Sequence, residues 1–170
     1  MINLLRSNRS SSSELWKLRL KIENHKIGFI NKYYTWRYNR LLDRAGAYIP
    51  ISTKFVEKPE FPHSIYGIFI SQGAVIGKGC TIFHQVTIGS NTLTDSKNQG
   101  APQIGDNVYI GCGAKVIGGI RIGNNVRIGA NCVITEDIPD NCTVVMEKPR
   151  IIVRKTSRNN SFIKYEKPSL

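Results

Sequence analysis

Three histidines, His25, His63 and His84, and four cysteines, Cys80, Cys112, Cys132 and Cys142, are the side chains here whose types suit proton transfer or soft-metal ligation. The cysteines show no CxxC or Cys/His ligand spacing, so neither a structural zinc site nor a disulfide framework is indicated. Reduced thiols filling small core slots are expected. A three-histidine zinc site would need all three imidazoles around one metal, and His25 lies in "KIENHKIG", a helical stretch rich in charge, where it reads as a solvated side chain. His63, in "FPHSIYGIFIS", and His84, in "IGKGCTIFHQVTIGS", are left as the candidates for chemistry.

What positions them is a repeat. Ile70, Ile76, Ile82 and Ile88 fall six residues apart, and after a break Ile104, Ile110, Val116, Ile122, Ile128 and Ile134 resume the same spacing. Glycine follows at Gly77, Gly89, Gly105, Gly111, Gly123 and Gly129, and the fourth residue after every anchor but Ile88 is compact: Ala74, Cys80, Val86, Val108, Ala114, Ile120, Val126, Cys132 and Ile138. A period of six fits neither the 3.6 of a helix nor simple strand alternation, and it signals a parallel β-helix of hexapeptide repeats. Three units close one triangular coil, with anchor and compact residue pointing inward and Gly or Asn at the corners. The ten units amount to a little over three coils. His84, two residues after an anchor, faces outward, whereas Cys80 and Cys132 occupy the inward slot.

The flanks differ in composition. Residues 1–50 carry ten Lys/Arg against three acids, residues 51–145 carry seven against seven, and residues 146–170 carry seven against two, so the net charge of +12 resides entirely in the ends. Basic ends on a neutral scaffold suit an anionic partner: a phosphorylated cofactor, an acidic polymer or a membrane surface. No helix-turn-helix, zinc-finger or RNA-recognition pattern supports nucleic acid. Residues 1–47 read as a basic helical segment, with the spacing of a capping box from Ser11 to Glu14, an apolar stripe of Leu15, Leu18 and Ile22, and a division into two helices at Gly28. In the second half Tyr33, Tyr34, Trp36 and Tyr38 interleave with Lys32, Arg37 and Arg40, and packing of this helix on the scaffold is favoured over an exposed role. Residues 48–152 form the β-helix unit, residues 91–103 ("NTLTDSKNQGAPQ") loop out of it, and residues 153–170 are a basic tail. No apolar run approaches the roughly 20 residues of a membrane span. The start lacks a secretory apolar stretch, so the expected location is the cytoplasm, with the N-terminal helix able to reach the inner face of a membrane.

From "HSIYGIFISQGAVIGKGCTIFHQVTIGS", through the loop, to "IGDNVYIGCGAKVIGGIRIGNNVRIGANCVITEDIPDNCTVV", the sequence resembles the left-handed β-helix acyltransferases of the serine acetyltransferase type. Within these it looks closest to the branch associated with bacterial capsule and exopolysaccharide gene clusters. The resemblance covers about residues 48–152 and implies a homotrimer that binds acetyl-CoA between neighbouring β-helices and passes the acetyl group to a hydroxyl or amine. In such proteins a neutral imidazole takes the acceptor's proton as oxygen attacks the thioester. His63 matches that base, with His84 the second choice. Gly111, Ala114, Gly129 and Ala130 match turns along which the family's CoA arm runs, and Arg150, with Lys148, stands where a CoA phosphate is met. No metal is expected.

Two departures bear on the acceptor. The family's serine enzymes carry an acid about fifteen residues before the base, where this chain has Tyr48, and a second histidine in "RHPKIG", where "GAPQIG" puts Ala101. Glu57 and Glu60 are the nearby acids that remain to orient His63. The expected function is therefore O-acetylation of a capsular or other surface polysaccharide, or its precursor. Serine or another small acceptor is the alternative, and a non-catalytic trimeric scaffold is the reading from a different class.

Overall fold

In the computed structural model, residues 2–25 and 28–161 are described, with side chains from residue 12 onward; the last nine residues of the expected tail lie outside that range. Two helices, α1 (Ile2–Asn24) and α2 (Phe29–Ala45), precede twelve short strands. These are β1 (Lys54–Phe55), β2 (Phe69–Ile70), β3 (Val75–Ile76), β4 (Thr81–Ile82), β5 (Thr87–Gly89), β6 (Gln103–Ile104), β7 (Tyr109–Ile110), β8 (Lys115–Ile117), β9 (Arg121–Ile122), β10 (Arg127–Ile128), β11 (Val133–Ile134) and β12 (Thr143–Val144). They stack into three parallel sheets, β1-β3-β6-β9, β4-β7-β10-β12 and β2-β5-β8-β11, the three faces of a left-handed parallel β-helix.

Register puts anchor over anchor. Ile70 pairs with Ile88, Ile82 with Ile110, Ile104 with Ile122 and Ile110 with Ile128, so each face sends a column of branched side chains into the prism. All ten anchors are buried, as are Ala74, Cys80, Ala114 and Cys132 in the compact slot, and all four cysteines are free thiols. Burying an isoleucine contributes roughly 1.5–3 kcal/mol, so these columns hold most of the solenoid's stability.

The solenoid is longer than the ten anchors imply. Parallel bridges Tyr48↔Phe69 and Glu60↔Thr81 join β1 in a coil before Ile70, and Ile122↔Ile138 joins β12 in closing one after Ile134. Each face therefore has five rungs rather than a little over three. The extra rungs were hidden by shifts of phase. Ile49, Phe55 and Phe61 are spaced by six among themselves, but Phe61 precedes Ile70 by nine, and Ile138 follows Ile134 by four.

Corners obey two local rules. Gly77 stacks so closely on the next coil that a Cβ there would lie 2.3 Å from the Gly105 carbonyl oxygen, so only glycine fits. Asn107, Asn125 and Asn141 take positive φ on successive coils, and their amides form a ladder: Asn107 Nδ2 donates to Asn125 Oδ1 at 2.9 Å, and Asn125 Nδ2 to Asn141 Oδ1 at 3.0 Å. Asparagine tolerates that backbone and satisfies its own side chain there.

The helical pair covers the first coil. Leu15, Leu18 and Ile22 of α1 and Tyr38 and Leu42 of α2 are buried, and Gly28 caps α2 as the sequence suggests. The buried Arg19 guanidinium donates to the carbonyls of Pro50, at 3.1 Å, Ile51, at 2.6 Å, and Thr53, and lies 5.0 Å from the Phe55 ring centroid. Tyr38 Oη donates to Ile49 O at 2.7 Å, and Arg37 pairs with Glu14 across the two helices. Two expectations change here. Helix α1 runs on through Ser11, so that residue does not start it, and only one face of α2 packs inward, leaving Tyr33 and Trp36 half exposed.

The segment expected to loop out leaves the coil after β5. Asn91 and Gly100 exchange N–H···O bonds of 2.8 and 2.9 Å at its neck, and Gly119 donates to Asn98 O at 2.9 Å, which seats the loop on the next corner.

Candidate active site

The corner that leads from the β4 face to the β2 face carries both histidines, and it is there that the coil slips phase. In the regular coil Ile82 is followed by Phe83, His84, Gln85 at φ +60° and the inward Val86. One coil earlier, Ile82 N–H donates to Glu60 O and Gln85 N–H to Tyr66 O, so Tyr66 is in backbone register with His84. The residues Pro62 to Ile65 then stand opposite Phe83 alone. The surplus chain bulges at the corner and carries His63 outward over the coil below.

The bulge brings the two imidazoles together. His63 Nδ1 lies 2.9 Å from His84 Nδ1, with ring centroids 4.9 Å apart. His63 also meets Phe83 edge-on at 5.2 Å, and Phe83 contacts Tyr109 at 5.0 Å, so an aromatic wall runs along the adjoining face. His63 is exposed and His84 half-buried, which leaves the outer ring open to a ligand. Beneath the pair, Ser64 is buried at φ +60° with its Oγ unpartnered, a sparsely populated conformation of the kind that persists where surrounding packing enforces it.

A hydrogen bond between two Nδ1 atoms requires one to carry the proton and the other to be bare. With Nδ1–H on His63 and the lone pair on His84, His63 Nε2 is a bare acceptor pointing away from the pair. A proton taken at Nε2 makes His63 cationic, and its Nδ1–H···Nδ1 bond becomes charge-assisted. The arrangement has the form of a base and the group that orients it. Glu57 and Glu60 do not fill that place: the Glu57 carboxylate accepts from Gly79 N–H at 3.3 Å, and Glu60 belongs to the bridge with Thr81. Tyr48 stacks on Phe69 at 6.5 Å.

The remaining candidates divide. Gly113 N–H donates to His84 O and Asn131 N–H to Cys112 O, so Tyr66, His84, Cys112 and Ala130 form one corner column, with Gly111 and Gly129 beside it. Ala130 is exposed at the top of this edge. Gly111 is buried, and a Cβ there would lie 2.7 Å from Ala130 N, so this glycine serves coil stacking. Ala114 points into the prism and is fully buried, with its N–H given to Gly111 O and its carbonyl to Thr87 N–H. Its methyl group therefore faces the core and not an outer ligand. Lys148 and Arg150 are exposed on the extended chain after β12. Sequence reasoning missed Tyr66 and Phe83, whose only signal was their place in the column and the slip. Among the described residues no group of three or more His, Cys, Asp or Glu converges as a metal site would require.

The family model for the bacterial transferase hexapeptide (six repeats) matches residues 101–136. Over those residues the chain is similar to the bacterial hexapeptide transferases. A serine acetyltransferase of Synechococcus elongatus is 42% identical over 92 residues, 54% of this chain and 37% of that protein. One from Staphylococcus aureus is 37% identical over 123 residues, 71% of this chain and 56% of its own length. The crystal structure of serine acetyltransferase isoform 3 from Entamoeba histolytica in complex with cysteine superposes with a TM-score of 0.61 at 36% identity, covering 73% of this chain and 44% of that one. The chain thus spans less than two thirds of the relatives it resembles. They are serine acetyltransferases, so the comparisons do not support the capsule branch to which the sequence alone was assigned.

Proposed function

We propose that the chain is an acetyl-CoA-dependent O-acetyltransferase in which His63 is the general base and His84 holds it in place. The observation that carries this reading is the 2.9 Å Nδ1–Nδ1 contact at a bulged, solvent-open corner. Acetyl-CoA supplies an activated thioester. His63 Nε2 takes the acceptor hydroxyl's proton as the oxygen forms its bond to the acetyl carbon, and returns it as the carbon–sulfur bond breaks, so that the thiol leaves neutral. Holding both substrates together removes the need for a covalent enzyme intermediate. Ala130 and Gly129 leave room along the edge above His84, and Lys148 and Arg150 supply charge for the phosphates.

Residues 48–152 act as the catalytic unit, assembled as a trimer in the cytoplasm. Serine is the first acceptor to consider, because the relatives' names carry it. A sugar hydroxyl of a surface polysaccharide or its precursor is the second, and one observation favours it: Ala101, where those enzymes' second histidine would stand, borders a hollow with Gly73, Gly119, Arg121 and Asp137. The histidine those enzymes carry at that place is absent here. Thiol release from acetyl-CoA, measured with serine and with neutral and acidic sugars, separates the two. Turnover with serine at or above that with every sugar establishes the first, turnover with a sugar alone establishes the second, and no acceptor-dependent release overturns the proposal.

A further inference from the structure

Helix α2 is apolar on two opposite sides. Its inner side, Tyr38 and Leu42, is accounted for by the first coil. Its outer side is not. Phe29, Tyr33 and Trp36, at spacings of four and three, are 89%, 50% and 55% exposed, and Ile30 beside them is 56% exposed. At 100° per residue, Lys32, Arg40 and Arg44 fall on the same outward stripe, with Asp43 the only acid of the helix. The Arg40 guanidinium lies 5.2 Å from the Trp36 ring centroid, and Tyr33 stacks on Trp36 at 6.4 Å. The stripe from Phe29 to Arg44 is about 22 Å long.

We infer that this outer face of α2 docks on an anionic phospholipid surface. Three features select that occupant. Aromatic rings interleaved with cations match the boundary between acyl chains and headgroups, where an amphipathic ring is at home in both. The cations on the stripe outnumber the acid three to one, and the first fifty residues carry ten Lys/Arg against three acids in sequence, so the net charge of this segment favours an anionic partner. The aromatic side chains already lie outward at a helix surface, so no rearrangement is needed to insert them. The helical pair is tied to the first coil through Arg19 and Tyr38, so docking α2 would hold the His63 corner at a fixed distance from the bilayer. The inference stands apart from the acetyl-transfer reading and survives its failure.

The test is binding of the full chain to vesicles of phosphatidylcholine alone and of phosphatidylcholine mixed with phosphatidylglycerol, by co-sedimentation and by Trp36 fluorescence in a Trp16→Phe background. Expected are preferential binding to the anionic vesicles by about tenfold or more, weakening with added salt, and a blue shift of Trp36 emission. Lys32→Glu with Arg40→Glu abolishes the preference, and Phe29→Ser with Tyr33→Ser and Trp36→Ser abolishes binding; all five side chains are exposed, so the thermal midpoint should hold in both variants. Equal binding to the two vesicle types, no binding, or binding that neither variant alters overturns the inference. So does a change in assembly size on altering the stripe without lipid, which would make this face a contact between copies of the chain.

Discussion

His63 Nδ1 and His84 Nδ1 face each other at 2.9 Å across successive coils, although the residues are 21 apart in sequence. A regular coil is eighteen residues, as from Ile70 to Ile88 or Ile110 to Ile128, and the excess of three is the phase slip between Phe61 and Ile70. Without the slip the two side chains would not share a corner in this way. The bulge therefore creates the pair rather than decorating it.

If His84 orients His63, its removal affects the reaction more than binding. His84→Ala should lower kcat by about tenfold with KM little changed, since one positioning hydrogen bond is worth roughly 1–1.5 kcal/mol. His84→Asp, whose carboxylate can accept the His63 Nδ1–H, should recover part of the loss. Steady-state kinetics of the two variants checks this; a His84→Ala enzyme with unaltered kcat would remove His84 from the mechanism.

Gly77 tests the stacking of corners. A methyl group there would sit 2.3 Å from the Gly105 oxygen, which is backbone and cannot turn aside, so Gly77→Ala must separate two coils. A loss of about 2 kcal/mol or more is expected, read from the urea midpoint. Gly46→Ala meets nothing within 4 Å and pays only for its left-handed backbone, so it should cost less.

Two buried acids make stability depend on pH on the alkaline side. Burial raises the Cys80 thiol above its ordinary value, and burial likewise raises the Tyr38 phenol, with Arg19 opposing. Each holds its proton more tightly in the folded chain than in the unfolded one. Their contribution is complete below the unfolded values, about 8.5 for a thiol and 10 for a phenol, and is lost as pH rises toward the folded ones. Denaturant midpoints should therefore fall on the alkaline side. Cys80→Ala, which puts in this slot the residue found at Ala74 and Ala114, should flatten the first part of that fall, and Tyr38→Phe the second.

The same burial predicts thiol reactivity. Cys80 and Cys132 lie in the prism, whereas Cys112 and Cys142 are half exposed. Alkylation of the native chain should label Cys112 and Cys142 at least about tenfold faster than the buried pair, with mass spectrometry giving the sites.

How much of this could be read from residues alone follows from periodicity. Ten anchors in two phased blocks identified the β-helix, because a side chain that recurs every six residues points the same way in every coil. Ile49, Phe55 and Phe61 obeyed the same rule but were out of phase with the rest, so the coil that holds His63 was not counted. The histidine pair was missed for the same reason: residues 21 apart do not align in a repeat of eighteen. Resemblance points to His63, but neither Glu57 nor Glu60 orients it. The available signal was the slip itself, which places an irregular corner directly beside the one bearing His84.

The most direct test of the account is acceptor-dependent thiol release from acetyl-CoA by the intact chain and by His63→Ala, each checked for an unchanged thermal midpoint. The account predicts that the substitution lowers turnover by about 100-fold or more, as loss of a general base does. A His63→Ala chain that keeps its fold and turns over within a few-fold of the original would contradict it.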